Sequence, residues 1–153
     1  MATKYVKDID RGYKAIMREI DRANNAFVDV GIFDGARNPE TNTSVAEYAT
    51  ANEFGTAKIP ARPFMAISFD ENIGQITKDA QAGMRRITRG STASRELKVI
   101  GLKHQQRIQR TIKGRDILPK LAESTIAAKG GSTKTLVDTG VMVNSVTFAI
   151  KGA

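Results

Sequence analysis

Cysteine and tryptophan are absent from the 153 residues, and histidine occurs once. No disulfide framework, zinc ribbon, iron–sulfur cluster or thiol nucleophile can therefore be built. A single histidine cannot assemble a multi-histidine metal site. Aromatic residues make up only 6% of the chain, so stacking surfaces for nucleobases are scarce. No apolar run approaches the roughly 20 residues of a membrane span. The first residues, Met1-Ala2-Thr3-Lys4-Tyr5-Val6-Lys7-Asp8, contain no apolar core of signal-peptide length, so no export is expected. What is present is ordinary for a soluble, intracellular globular protein: 41% hydrophobic residues in a length that suits one domain, spanning 1–153. A chain of this size buries about 70% of its unfolded surface, enough for a core.

The unusual quantity is charge. The formal net charge is +8. Residues 78–120 hold twelve basic and three acidic side chains, a local +9, and the rest of the chain is close to neutral at −1. Such a block fits either a surface for nucleic acid or acidic protein, or a solvated helical face.

Periodicity predicts an amphipathic helix over 5–23, carried by Val6, Ile9, Tyr13, Ile16, Met17 and Ile20. A strand is predicted over 26–33, with Val28, Val30 and Ile32 on one face. Residues 34–43 are turn-rich. Ser44 is placed to cap a short helix ending near Phe54, with Glu47 completing a capping box and Gly55 closing it. Pro60 and Pro63 exclude helix interior from 59–64, and one further strand is possible near 56–60. A long helix follows over 65–88, with Ile67, Ile73, Ile76, Ala80, Met84 and Ile87 as its apolar positions. A second covers 95–113. Short helices are predicted over 118–128 and from Thr139-Gly140 through Ser145, and a terminal strand over 146–151. The fold class is α+β: a small antiparallel or mixed sheet packed with an N-terminal helix and a long basic helical region. Because two strands alone are marginal, either the loops add strands or a neighbouring subunit completes the sheet.

Catalytic motifs fail on inspection. Leu136-Val137-Asp138-Thr139-Gly140 echoes aspartic proteases, but that chemistry needs two carboxylates sharing a proton and a closing strand behind the aspartate. Capping of the following helix by Asp138 or Thr139 is the simpler reading. Lys129-Gly130-Gly131-Ser132-Thr133-Lys134-Thr135 resembles a phosphate loop, yet Thr133 stands where a glycine is needed. His104 lies on the apolar face of its helix with no nucleophile clearly placed beside it. No catalytic residue, cofactor site or metal site is assigned. A DNA-binding module using 78–120 is the alternative from another class. Against it, the basic positions spread round the helix and no aromatic residues interleave with them.

Two blocks carry a resemblance. The first is Ala46-Glu47-Tyr48-Ala49, Asn52-Glu53-Phe54-Gly55 and Ile59-Pro60-Ala61-Arg62-Pro63-Phe64. The second runs from Leu118-Pro119 through Ser124-Thr125-Ile126, Lys129-Gly130 and Leu136-Val137-Asp138-Thr139-Gly140 to Asn144-Ser145-Val146. Their order resembles the tail-completion, or tail-to-head joining, proteins of tailed bacteriophages, over about residues 5–151. The family often places a basic residue directly after Asp-Thr-Gly; here Val141 stands there. The resemblance implies a non-enzymatic virion protein that forms a ring at the neck. Its partners would be copies of itself, favouring a hexamer with a dodecamer as the alternative, a tail tube or sheath protein, and a head-side connector. DNA in the neck channel is a further possible contact, and no membrane is involved. Candidate interface residues are Glu53, Phe54, Arg62, Phe64, Arg85, Arg86, Arg89, Asp138 and Thr139. Two of these carry an internal alternative: Phe64 as core, and Arg62 as the partner of Glu53 or Glu47. The loops 34–43 and 129–135 are expected to be ordered only by neighbours.

Overall fold

A computed structural model describes residues 10–39, 41–114, 117–120, 123–128, 130 and 140–152. The elements in order are α1 (Tyr13–Asn25), β1 (Phe27–Ile32), α2 (Val45–Phe54), α3 (Phe64–Ile87), α4 (Ala93–Gly114), α5 (Glu123–Ala128), α6 (Val141–Asn144) and β2 (Val146–Lys151). The chain is α+β. β1 and β2 pair antiparallel, Phe27 opposite Lys151 and Ile32 opposite Val146, so the strand that follows α1 meets the last strand in one sheet.

Alternation explains how the sheet is seated. Val30 and Phe148 are register partners, and residues two apart on a strand share their face. α4 packs across this face of both strands. The approach is close because Gly101 has no side chain. A Cβ there would lie 2.7 Å from Phe148 Cγ and 3.0 Å from Cε2. α3 runs against α4, and α1 packs on both. The core gathers Val45 and Ala49 of α2, Phe64 of α3, Ile108 and Ile112 of α4, Ile117, and Met142, Val143 and Val146. A wholly buried phenylalanine such as Phe64 contributes about 3–5 kcal/mol over alanine.

Several boundaries follow from local chemistry. α1 begins at Tyr13 because Gly12 turns the chain at φ 98° and the Asp10 carboxylate accepts the amides of Gly12 and Lys14. Val6 and Ile9, expected in this helix, lie outside the described residues. Ser44 caps α2 as expected, its Oγ accepting the Glu47 amide at 3.4 Å. No strand forms near 56–60: Thr56 Oγ1 accepts the amides of Lys58 and Ile59 and closes a turn instead.

Two expectations are corrected. Within 34–43, most of the chain is tied to itself. The Asn38 amide donates to the Thr43 carbonyl, the Val45 amide donates to the Ala36 carbonyl, and Arg37 bridges Ser44. These local hydrogen bonds give the segment a hairpin shape without a neighbour. The inward face of α3 differs in part: Ile87 is buried and Ile67 packs against the core as expected, but the middle of the helix does not follow its apolar residues. Ile73 is 46% exposed, whereas Ser68, Asp79 and Gly83 are buried. The facing surface of α4 presents Lys103 and Arg107, and a carboxylate satisfies that surface where an isoleucine would not.

Candidate functional site

The first sequence block folds into a clamp at the N-terminal end of α3. The proline-rich segment leaves the first amides of α3 without intrahelical partners. Glu53, at the end of α2, supplies them: its two carboxylate oxygens accept the amides of Met65 and Ala66 at 2.9 and 3.0 Å. A negative group there also suits the helix dipole. Gly55 makes the return possible at φ 76°, where a Cβ would meet the Ala61 amide nitrogen at 2.9 Å. The Arg62 amide donates to the Asn52 carbonyl at 2.6 Å, and Arg62 Nε donates to the Pro119 carbonyl at 3.0 Å. The clamp therefore ties the first block to the start of the second.

This geometry sorts the candidate residues. Phe64 has no accessible surface and Arg62 is 5% exposed, so both serve the interior of the chain. The carbonyl of Pro119 takes the Arg62 guanidinium, the role that sequence reading offered to Glu53 or Glu47. Phe54 is the outward member of the block, 78% exposed. It borders a groove of about 530 Å³ with Asp34, Glu47, Thr50 and Thr56, a lining that carries two acidic groups and no basic one. Asp138 and Thr139 lie outside the described residues.

Arg85, Arg86 and Arg89 sit at the opposite end of α3. That helix has 24 residues, so the two ends are about 36 Å apart. The turn into α4 forms a cleft of about 490 Å³ lined by Arg86, Arg89, Arg95 and Lys103, with Glu96 and Val99. Arg86 is committed internally: its Nε donates to Glu96 Oε2 at 2.7 Å, while Ser91 donates to Oε1 at 2.6 Å. Burial pushes the Glu96 carboxyl up, and these hydrogen bonds with the charges of Arg86 and Arg95 outweigh it, so its pKa falls below the usual value. Arg85 and Arg89 form no ion pair with the described residues.

A polar seam that sequence reading missed runs between α3 and α4. Buried Asp79 takes Lys103 on one oxygen at 2.7 Å and Arg107 on the other. Burial raises its pKa, but the hydrogen bonds and charges of these two cations prevail and hold it at about 2. His104 lies edge-on to Phe69, ring centroids 6.3 Å apart. Burial and the Arg107 charge lower its pKa, favouring neutral imidazole. The one legible signal was the rarity of Asp79 and Glu96 in a block of cations. Three of that block's cations are thus held by buried carboxylates.

The seam does not assemble a nucleophile with a base: the Ser68 hydroxyl and His104 Nδ1 are buried without hydrogen-bond partners among the described residues. Among those residues no group of three or more histidine, cysteine, aspartate or glutamate side chains converges, and no helix is long and apolar enough to cross a membrane. Compared with known proteins, the chain matches no family model, no curated protein and no solved structure.

Proposed function

We propose that this chain is a structural virion protein that forms a ring at the neck of a tailed phage, terminating the tail and joining it to the head-side connector. The observation that carries the reading is the ordered pair of sequence blocks, 46–64 and 118–146. The surface offers further support. Phe54, Tyr13, Leu118 and Phe27 are each more than half exposed, although aromatic residues are scarce in the chain. Apolar side chains kept outside in this way suit burial in an assembly. The two-stranded sheet is also small for an isolated domain.

On this reading the protein acts by shape and contact, without catalysis or cofactor. It works in the virion at the tail end and passes through the host cytoplasm during assembly. Its partners are copies of itself, a tail tube or sheath protein and a connector protein; six copies are favoured over twelve. The test is to mix purified protein with tail tubes and with connectors and image the products. Rings seated on tube ends support the reading, and bare tube ends with free monomer overturn it.

The +9 block favours one second reading, a DNA-binding module over 78–120. Arg85 and Arg89 are exposed and project from one helix end. Phosphate contacts make affinity fall steeply with salt. Duplex binding whose salt slope flattens when Arg85, Arg86 and Arg89 become alanine is the result this reading requires.

A further inference from the structure

We propose that the acidic groove bearing Phe54 on one copy docks into the arginine-lined cleft at the α3–α4 turn of the next. The groove adjoins Glu53, which caps the start of α3, and the cleft lies at the far end of that helix, which is about 36 Å long. A chain with complementary surfaces at its two ends associates head to tail, and such a contact closes into a ring when its rotation allows. The inference rests on the ring reading only for the choice of a second copy as partner.

Three observations carry it. The groove exposes Asp34 and Glu47 and has no basic residue in its lining. The cleft is lined by Arg86, Arg89, Arg95 and Lys103; Glu96 holds Arg86 and Asp79 holds Lys103, which leaves Arg89 and Arg95 without an ion pair among the described residues. Charge is therefore complementary between the ends, which steers encounter and fixes register. Phe54 stands 78% exposed beside the acidic groups. An aromatic face among arginines gains cation–π attraction, and aromatic and arginine side chains dominate interface energetics. Duplex DNA could use the same cleft, but DNA explains neither the acidic groove nor the exposed Phe54.

The experiment compares solution masses of wild-type protein, Glu47→Lys, Arg89→Glu and Phe54→Ala at low and high salt. Wild type is expected as multiples of 16.6 kDa that shrink in high salt. Glu47→Lys and Arg89→Glu are each expected as monomers, and a 1:1 mixture of the two restores a heteromeric complex. Phe54→Ala is expected to weaken association at least about 30-fold with unchanged helix content, the effect of truncating an interface hot spot. Wild-type assembly in all three variants overturns the proposal. So does a wild-type monomer whose cleft binds duplex DNA until Arg89 is reversed. If all variants still assemble and still seat on tails, the neck reading stands and this contact falls. If the mixture assembles but no form seats on tails, the contact stands and the neck reading falls.

Discussion

Replacing Gly101 with alanine is expected to destabilise the chain, while the same replacement at Gly74 stabilises it. Both glycines lie inside long helices, where alanine is favoured by about 1 kcal/mol. At Gly74 an added Cβ meets nothing within 4 Å, so that gain is realised. At Gly101 the Cβ would stand 2.7 Å from Phe148 Cγ and 3.0 Å from Cε2. The ring is held between α4 and β2, and moving it disturbs the pairing with Val30. Overpacking of this kind costs about 1–3 kcal/mol, and contact under 3 Å with a stiff ring places the cost near the upper end. The net result is a loss of about 1–2 kcal/mol, and the two variants differ by roughly 2–3 kcal/mol. Urea unfolding followed by circular dichroism measures this as midpoints moving in opposite directions at constant slope. Adding Phe148→Leu to Gly101→Ala should recover part of the loss, because neighbouring substitutions couple. Equal stabilisation at both glycines would refute the seating of α4 on the sheet.

Three further outcomes can be checked on the isolated protein. Glu53→Ala removes both acceptors from the first amides of α3 and should cost about 1–2 kcal/mol in urea, whereas exposed Glu47→Ala stays within about 0.5 kcal/mol. Asp79 is held at about 2 against an ordinary 3.8, so its stabilisation is complete above about pH 4 and is lost as pH falls toward 2. The shift is worth at most about 2.5 kcal/mol, and screening at half-exposed Lys103 brings it nearer 1; Asp79→Asn should flatten the acid limb of stability against pH in that window. At a dilution and salt where wild type is also monomeric, Phe54→Ala should leave the melting temperature within about 2 °C, because so little of the ring is buried in one copy.

Much of the fold was legible because its signals are local. Alternation marked both strands, Ser44 and Glu47 marked the start of α2, and the prolines marked the break before α3. The pairing of the first strand with the last followed from there being two alternating segments and one core. At the ends of α3, Ile67 and Ile87 were legible as inward, but the middle of the helix was not. Its apolar residues suggested Ile73 and Met84 as inward, but the face is chosen by Lys103 and Arg107, which reach Asp79 from 24 and 28 residues further along the chain. The candidate site divided in the same way. Phe64, Arg62 and Glu53 stood out as a motif, yet sequence spacing cannot say whether a motif builds an interior or a surface. Hydrogen bonds to Pro119, Met65 and Ala66 decide that, and they leave Phe54 as the outward residue. The acidic groove was hidden because Asp34 follows β1 whereas Glu47 and Phe54 lie on α2, and the intervening turn brings them together.

The central claim is that the chain works as a ring. The mass and image of the purified protein, alone and with tail-tube or connector partners, test it most directly. A closed ring of six subunits, or of twelve, is the predicted result. A stable 16.6 kDa monomer under all of these conditions would contradict it.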